Sequence, residues 1–147
     1  MRTLAAPCIY EHEVKRSRFI AHAGRVSEVD QTTSWLTEVQ HSNATHNCFA
    51  YRIGAVYRFS DDGEPGGTAG RPILSAIDGH QLDETMVVVI RYYGGIKLGT
   101  GGLVRAYHAT AAKCLDRARI LEIKPTSICT IAVPYDLTGV VYHLFDT

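Results

Sequence analysis

The sequence is poor in everything that would betray its business at first glance. It carries no net charge, with 15 Lys plus Arg balanced by 15 Asp plus Glu. A neutral balance excludes a global field drawing the chain to nucleic acid or to a membrane surface, so any such binding needs a local patch. No apolar run approaches the roughly 18 residues of a membrane span. The opening stretch MRTLAAPCIYEHEVKRSRF lacks the apolar centre of a signal peptide. The four cysteines, Cys8, Cys48, Cys114 and Cys129, are scattered and form no CxxC pair or disulfide framework. Reduced thiols and a cytoplasmic location are therefore expected. No G-x-x-x-x-G-K-[ST] loop, G-x-S-x-G elbow or H-x-x-x-H pair occurs. What is present is a globular composition: 147 residues, 46% hydrophobic and 20% charged, enough for one domain with a core.

Hydrophobic periodicity predicts the order of elements. Residues 9–14 and 18–26 alternate loosely and read as two strands joined at Lys15-Arg16-Ser17. Ser27 is placed to cap a helix whose apolar face is Val29, Trp35, Leu36 and Val39. Residues 47–56, NCFAYRIGAV, suit a third strand, and FSDDGEPGGTAGRPIL then reads as a long loop. Thr68 can cap a short helix to Ile77, with Pro72 tolerable only in its first turn. MVVVI, residues 86–90, is β-branched without alternation and predicts a central strand buried on both faces. Leu103, Tyr107, Ala111, Cys114, Ala118 and Leu121 recur at helical spacing. A strand over 128–133 and a helix from Asp136 follow. The expected fold is α+β: one mixed sheet with helices packed on one face.

Two loops hold the candidate chemistry. In RYYGGIKLGTGGLVRAY a strand leads into glycines and a helix departs near Gly101. The first turn of a helix has free N–H groups and the positive end of its dipole, which suits an anion. Candidate anion contacts are Arg71, Arg91, Gly94, Gly95, Lys97, Gly99, Gly101, Gly102 and Arg105. The competing reading is that the glycines only supply positive φ and tight packing. In SDDGEPGGTAGRP, the carboxylates Asp61, Asp62 and Glu64 are close enough in sequence to suggest a Mg²⁺ or Ca²⁺ site, although Asp and Gly are also ordinary turn residues. His46 and Cys48 share one face of a strand, but no third group completes a nucleophilic set. Lys15, Arg16 and Arg18 form a small basic cluster, either a patch or a solvated hairpin tip.

The segments RYYGGIKLGTGGLVRAY and SDDGEPGGTAGRPIL resemble the two signature segments of the Impact family, which includes YigZ-like bacterial proteins. KRSRFIAHAGRV and ATHNCFAYRIG resemble its other typical stretches, in the same order. Gly66 stands where the family usually carries Ser. The resemblance implies that residues 1–122 adopt a ribosomal protein S5 domain 2-like fold. It also implies that residues 123–147 begin a truncated, ferredoxin-like second domain. Exposed apolar residues there, such as Val140 and Leu144, would make an oligomer or partner contact possible. Eukaryotic relatives are regulators of translation that act by protein binding, and no catalytic activity or cofactor follows from the family.

The leading expectation is a non-enzymatic regulatory protein linked to translation, binding RNA phosphate or a protein partner through the two glycine-rich loops. The alternative is an enzyme acting on a phosphorylated small molecule, with the glycine loop as cradle and Mg²⁺ on the acidic loop.

Overall fold

The computed structural model describes residues 1–124. The elements expected over 128–133 and from Asp136, and the proposed second domain, lie outside the described residues. The chain runs β1 (Arg2–Leu4), β2 (Cys8–Val14), β3 (Ser17–Arg25), α1 (Val29–Val39), β4 (His46–Ile53) and β5 (Val56–Ser60). It continues α2 (Gly70–Gly79), β6 (Thr85–Tyr92), α3 (Gly99–Arg117) and β7 (Ile120–Glu122). Five strands form one sheet in the order β2-β3-β6-β4-β5, and β1 pairs with β7 apart from it.

The α+β class is as expected, but the sheet is antiparallel in every described ladder and not mixed. The reason is that β6 slots between β3 and β4. Both lie antiparallel to β6, so they run parallel to each other without touching. The β3–α1–β4 crossover thus passes over a place that a later strand fills.

MVVVI forms the middle of that central strand. Val87 and Val89 face one layer, Met86, Val88 and Ile90 the other, all buried. On the first face Phe19, Ala21, Ala23 and Ala50 meet Ile73 and Ile77 of α2 and Leu103, Tyr107 and Ala111 of α3. The small alanines let both helices approach closely. On the second face Trp35, Leu36 and Val39 of α1 pack over Val26, Tyr51 and Met86. Two helices therefore share one face as expected, while α1 covers the other. Its apolar stripe is too narrow for more than partial cover, and of α1 only Thr32 is buried.

Local chemistry explains the boundaries. Gln31 Oε1 accepts the N–H groups of Ser27 and Glu28 at 2.7 and 3.2 Å, so the first turn of α1 is closed by Gln31 instead of the Ser27 hydroxyl. The β2–β3 turn is two residues long, with Lys15 and Arg16 at φ 46° and 68°. That hairpin geometry normally recruits Asn-Gly. The predicted third strand over 47–56 ends early, at Ile53, and its last residue begins β5, which runs on into the predicted loop; Val56, Tyr57 and Arg58 are exposed at the sheet edge and show no buried alternation.

Candidate functional site

The acidic loop turns sharply at Asp62 and Gly63, which have φ of 42° and 86°. The turn sends its three carboxylates in different directions. Asp61 accepts the N–H groups of Gly67, Ala69 and Gly70 at 2.9, 3.1 and 2.8 Å, closing the N-terminus of α2. Asp62 accepts the Asn47 N–H at 2.6 Å. Glu64 points inward and is 7% exposed. Asp61, Asp62 and Glu64, which the sequence suggests as a Mg²⁺ or Ca²⁺ site, are therefore not brought together. Their closeness in sequence does not survive the turn, and no group of three potential ligands gathers among the described residues.

Glu64 finds Arg91, which β6 delivers from the centre of the sheet. Arg91 Nη1 donates to both carboxylate oxygens at 3.0 and 2.8 Å, and Nη2 lies 3.3 Å from Ser17 Oγ. The guanidinium sits between the rings of Phe19 and Tyr93, 5.6 and 5.4 Å from their centroids. The Tyr107 hydroxyl of α3 donates to Glu64 Oε2, and His46 Nε2 of β4 lies 3.3 Å from Oε1. His46 Nδ1 lies 2.7 Å from the Asp62 carbonyl, which can only accept, so that nitrogen carries a proton. Arg91 of β6 and Tyr107 of α3 donate to this one carboxylate, His46 of β4 lies beside it, and Ser17 of β3 joins through Arg91.

Burial pushes the Cys48 thiol up to about 12 and raises the Tyr107 phenol well above its ordinary range. Cys48 faces Tyr107 Oη at 3.4 Å and the Asp61 carbonyl at 3.1 Å. Neither group is a nucleophile at neutral pH, and His46 serves Glu64.

The cluster floors an open cleft of about 480 Å³, walled by Thr45, Pro65, Tyr93, Lys97, Thr100 and Leu103. Along one side runs the start of α3. No side chain caps this helix, and Gly99, Thr100 and Gly101 are exposed. Its first N–H groups thus have no side-chain acceptor, and they lie on exposed residues beside the exposed Lys97.

The predicted contacts thus separate. Lys97 and Gly99 line the cleft. Arg91 forms its floor, but Glu64 neutralises it, so it offers no free charge to an anion. Arg105 and Gly102 line a neighbouring groove with Lys15 and His12. Arg71 lies over Phe59 in a third depression with Arg52 and Asp78. Gly94 is a packing residue: a Cβ there would fall 2.0 Å from the Arg16 carbonyl oxygen. Gly95 has φ of 90° and open space around it, and Gly101 meets only the Arg105 side chain. Sequence reasoning missed Ser17, Thr45 and Tyr107 because each joins the site only through strand register or helix packing. His46 was visible, but as a partner of Cys48 and not of Glu64.

The Asp61 cap carries a pH signature. Burial raises this carboxyl, but the amides of Gly67, Gly70 and Ala69, with the Arg71 charge, outweigh it and hold it below its ordinary value. A depressed carboxyl stabilises the fold above its unfolded pKa and loses that contribution as pH falls through the folded value. Asp61→Ala is expected to cost about 1 kcal/mol at pH 7. In urea melts, the gap from the unsubstituted protein should close below about pH 4. A gap unchanged at pH 3 would show that the charge is irrelevant.

A family model described as the Impact N-terminal domain matches residues 15–115. An "IMPACT family member in pol 5'region" of Thermus thermophilus is 46% identical over 131 residues, covering 89% of this chain and 73% of the relative. The Escherichia coli "IMPACT family member YigZ" is 40% identical over 144 residues, 92% of this chain and 71% of the relative. A crystal structure of a hypothetical protein aligns with a TM-score of 0.81 at 40% identity, covering 84% of this chain and 64% of the other.

Proposed function

The chain belongs to the Impact family, and on that premise we propose that it is a non-catalytic binding module linked to translation that seats an RNA phosphate in the cleft beside α3. The link to translation rests on the resemblance to eukaryotic regulators. The observation that carries the RNA reading is the uncapped first turn of α3, exposed next to Lys97 at the rim of the cleft. Free N–H groups, a helix dipole and an ammonium together favour a phosphate. Tyr93, 47% exposed, offers a ring on which a base can stack. An acidic peptide would match the charge but leave that ring unused.

Lys97→Ala is expected to weaken binding of single-stranded RNA about tenfold at low salt and to flatten the log–log salt dependence by about one. Tyr93→Ala should weaken it by about 1–3 kcal/mol, while Tyr93→Phe should not. Fluorescence anisotropy at several salt concentrations reads all three. No binding at low salt, or binding indifferent to Lys97 and Tyr93, sinks this function.

A second reading has its own support in the cleft's size and its apolar wall of Pro65, Leu98 and Leu103. A free mononucleotide would fit such a space. It predicts thermal stabilisation that grows with ligand concentration. A flat response across nucleotides and sugar phosphates excludes it.

A further inference from the structure

The exposed ridge of α3 carries Arg105, Ala109, Lys113 and Arg117 at intervals of four, one above the other on a helix. Opposite this ridge runs β2, an edge strand of the sheet. Its residues alternate: Tyr10, His12 and Val14 turn towards the α3 side, while Ile9, Glu11 and Glu13 are exposed on the other. A groove between ridge and strand is lined by His12, Lys15, Arg105 and Ala109, and it meets the Lys97 cleft at Leu98.

We infer that this groove is a binding track for single-stranded RNA, running from the cleft at the start of α3 towards Arg117. It rests on the reading that the partner is RNA and extends that partner beyond the first phosphate.

Lys15, Lys97, Arg105, Lys113 and Arg117 lie along this side, and none of the five has a carboxylate partner; Arg16, Arg58, Arg71, Arg119 and Lys124 are also unpaired among the described residues. The nearest acids are turned away. Asp116 takes the His80 ring on the α2 side at 2.6 Å, and Glu11 takes Arg18 at 2.8 Å. Burial and the Lys113 charge lower the His12 pKa, so that ring enters the groove uncharged at neutral pH.

Planar groups lie between the charges. The rings of Tyr10 and His12 stack at 6.3 Å with an interplanar angle of 24°. The Arg117 guanidinium lies 4.5 Å over Tyr10. Bases stack on such rings and guanidinium planes, and cations follow the backbone. From Arg105 to Arg117 the ridge extends about 18 Å along the helix axis, room for several nucleotides. A splayed base is needed to reach the His12 ring in the groove or the Arg117 plane beyond it, which favours a single strand over a duplex. An acidic peptide would use the cations but not the stack.

The test is fluorescence anisotropy with a labelled single-stranded RNA of about ten nucleotides, its duplex form and polyglutamate, over a range of salt. Circular dichroism checks each variant's fold. Lys113→Ala with Arg117→Ala should weaken single-strand binding about tenfold at low salt and flatten the log–log salt dependence by about one to two. Arg117→Lys should keep the salt dependence but weaken binding, because the stacking plane is lost. If the unsubstituted protein binds and Lys97→Ala weakens it, while the double substitution does nothing, the track is wrong and the cleft reading stands. If the double substitution weakens binding and Lys97→Ala does not, the track stands and the cleft reading falls. Duplex or polyglutamate binding as tight as the single strand overturns the track, and no RNA binding at low salt overturns both.

Discussion

Glu64→Ala is expected to destabilise the protein by about 3–5 kcal/mol, a large part of the 5–15 kcal/mol that typically separates folded from unfolded domains. The side chain of Glu64 is 3% exposed and that of Arg91 6%. Removing the carboxylate leaves a guanidinium in an almost dry interior with only Ser17 Oγ nearby. Its Nε has no partner even in the intact protein. Tyr107 loses its acceptor at the same time, and His46 loses the group opposite Nε2. An unsatisfied buried donor costs about 1–3 kcal/mol, so the loss has more than one source. Replacing both charges, Glu64→Leu with Arg91→Met, should destabilise less than Glu64→Ala alone, since no uncompensated ion remains. Chemical denaturation of the three proteins decides the matter. A single substitution costing under about 1 kcal/mol would mean that water reaches the cluster and screens it.

The second large effect is expected at Gly94. An alanine Cβ would lie 2.0 Å from the Arg16 carbonyl oxygen, 2.2 Å from its carbon and 2.6 Å from the Arg16 Cβ. These are mostly backbone atoms of a two-residue turn, and Lys15 and Arg16 are already held in the left-handed region. The hairpin cannot swing aside without breaking the Val14↔Ser17 pairing that begins its ladder. Ser17 also meets the Gly94 N–H, at 3.3 Å. Gly94→Ala should therefore cost about 3 kcal/mol or more, beyond the usual range for added methyl groups. Gly95→Ala is the control. Its φ of 90° is strained for alanine, but no atom lies within 4 Å, so about 1–3 kcal/mol is expected. Thermal melts showing Gly94→Ala milder than Gly95→Ala would refute the packing account.

These two residues show why the loops were only half legible. That the loops matter was visible from their Gly, Asp and Pro density. The glycines looked alike in sequence, yet Gly94 is fixed by a hairpin tip some eighty residues earlier, while Gly95 bends freely. The acidic trio looked like one ligand set, and each member serves a different part of the fold. Asp61 as a helix cap follows from the turn at Asp62 and Gly63, whose direction no spacing rule predicts. Arg105, Ala109, Lys113 and Arg117 recur every four residues along the chain. Without β2 beside it, this row was only a solvated helix face.

By itself the sequence determined the local alternatives: where hydrophobic period two gives way to period 3.6, which strand is buried on both faces, and which segments must turn. Those follow from neighbouring residues, because backbone sterics and side-chain alternation act over a few positions. Only the tertiary structure decided the ordering of β6 between β3 and β4, the side taken by α1, and the meeting of Glu64 with Arg91 and Tyr107. Those depend on which surfaces can be buried together at once. A buried charge accepts whatever counter-charge the packing brings to it, from any distance along the chain.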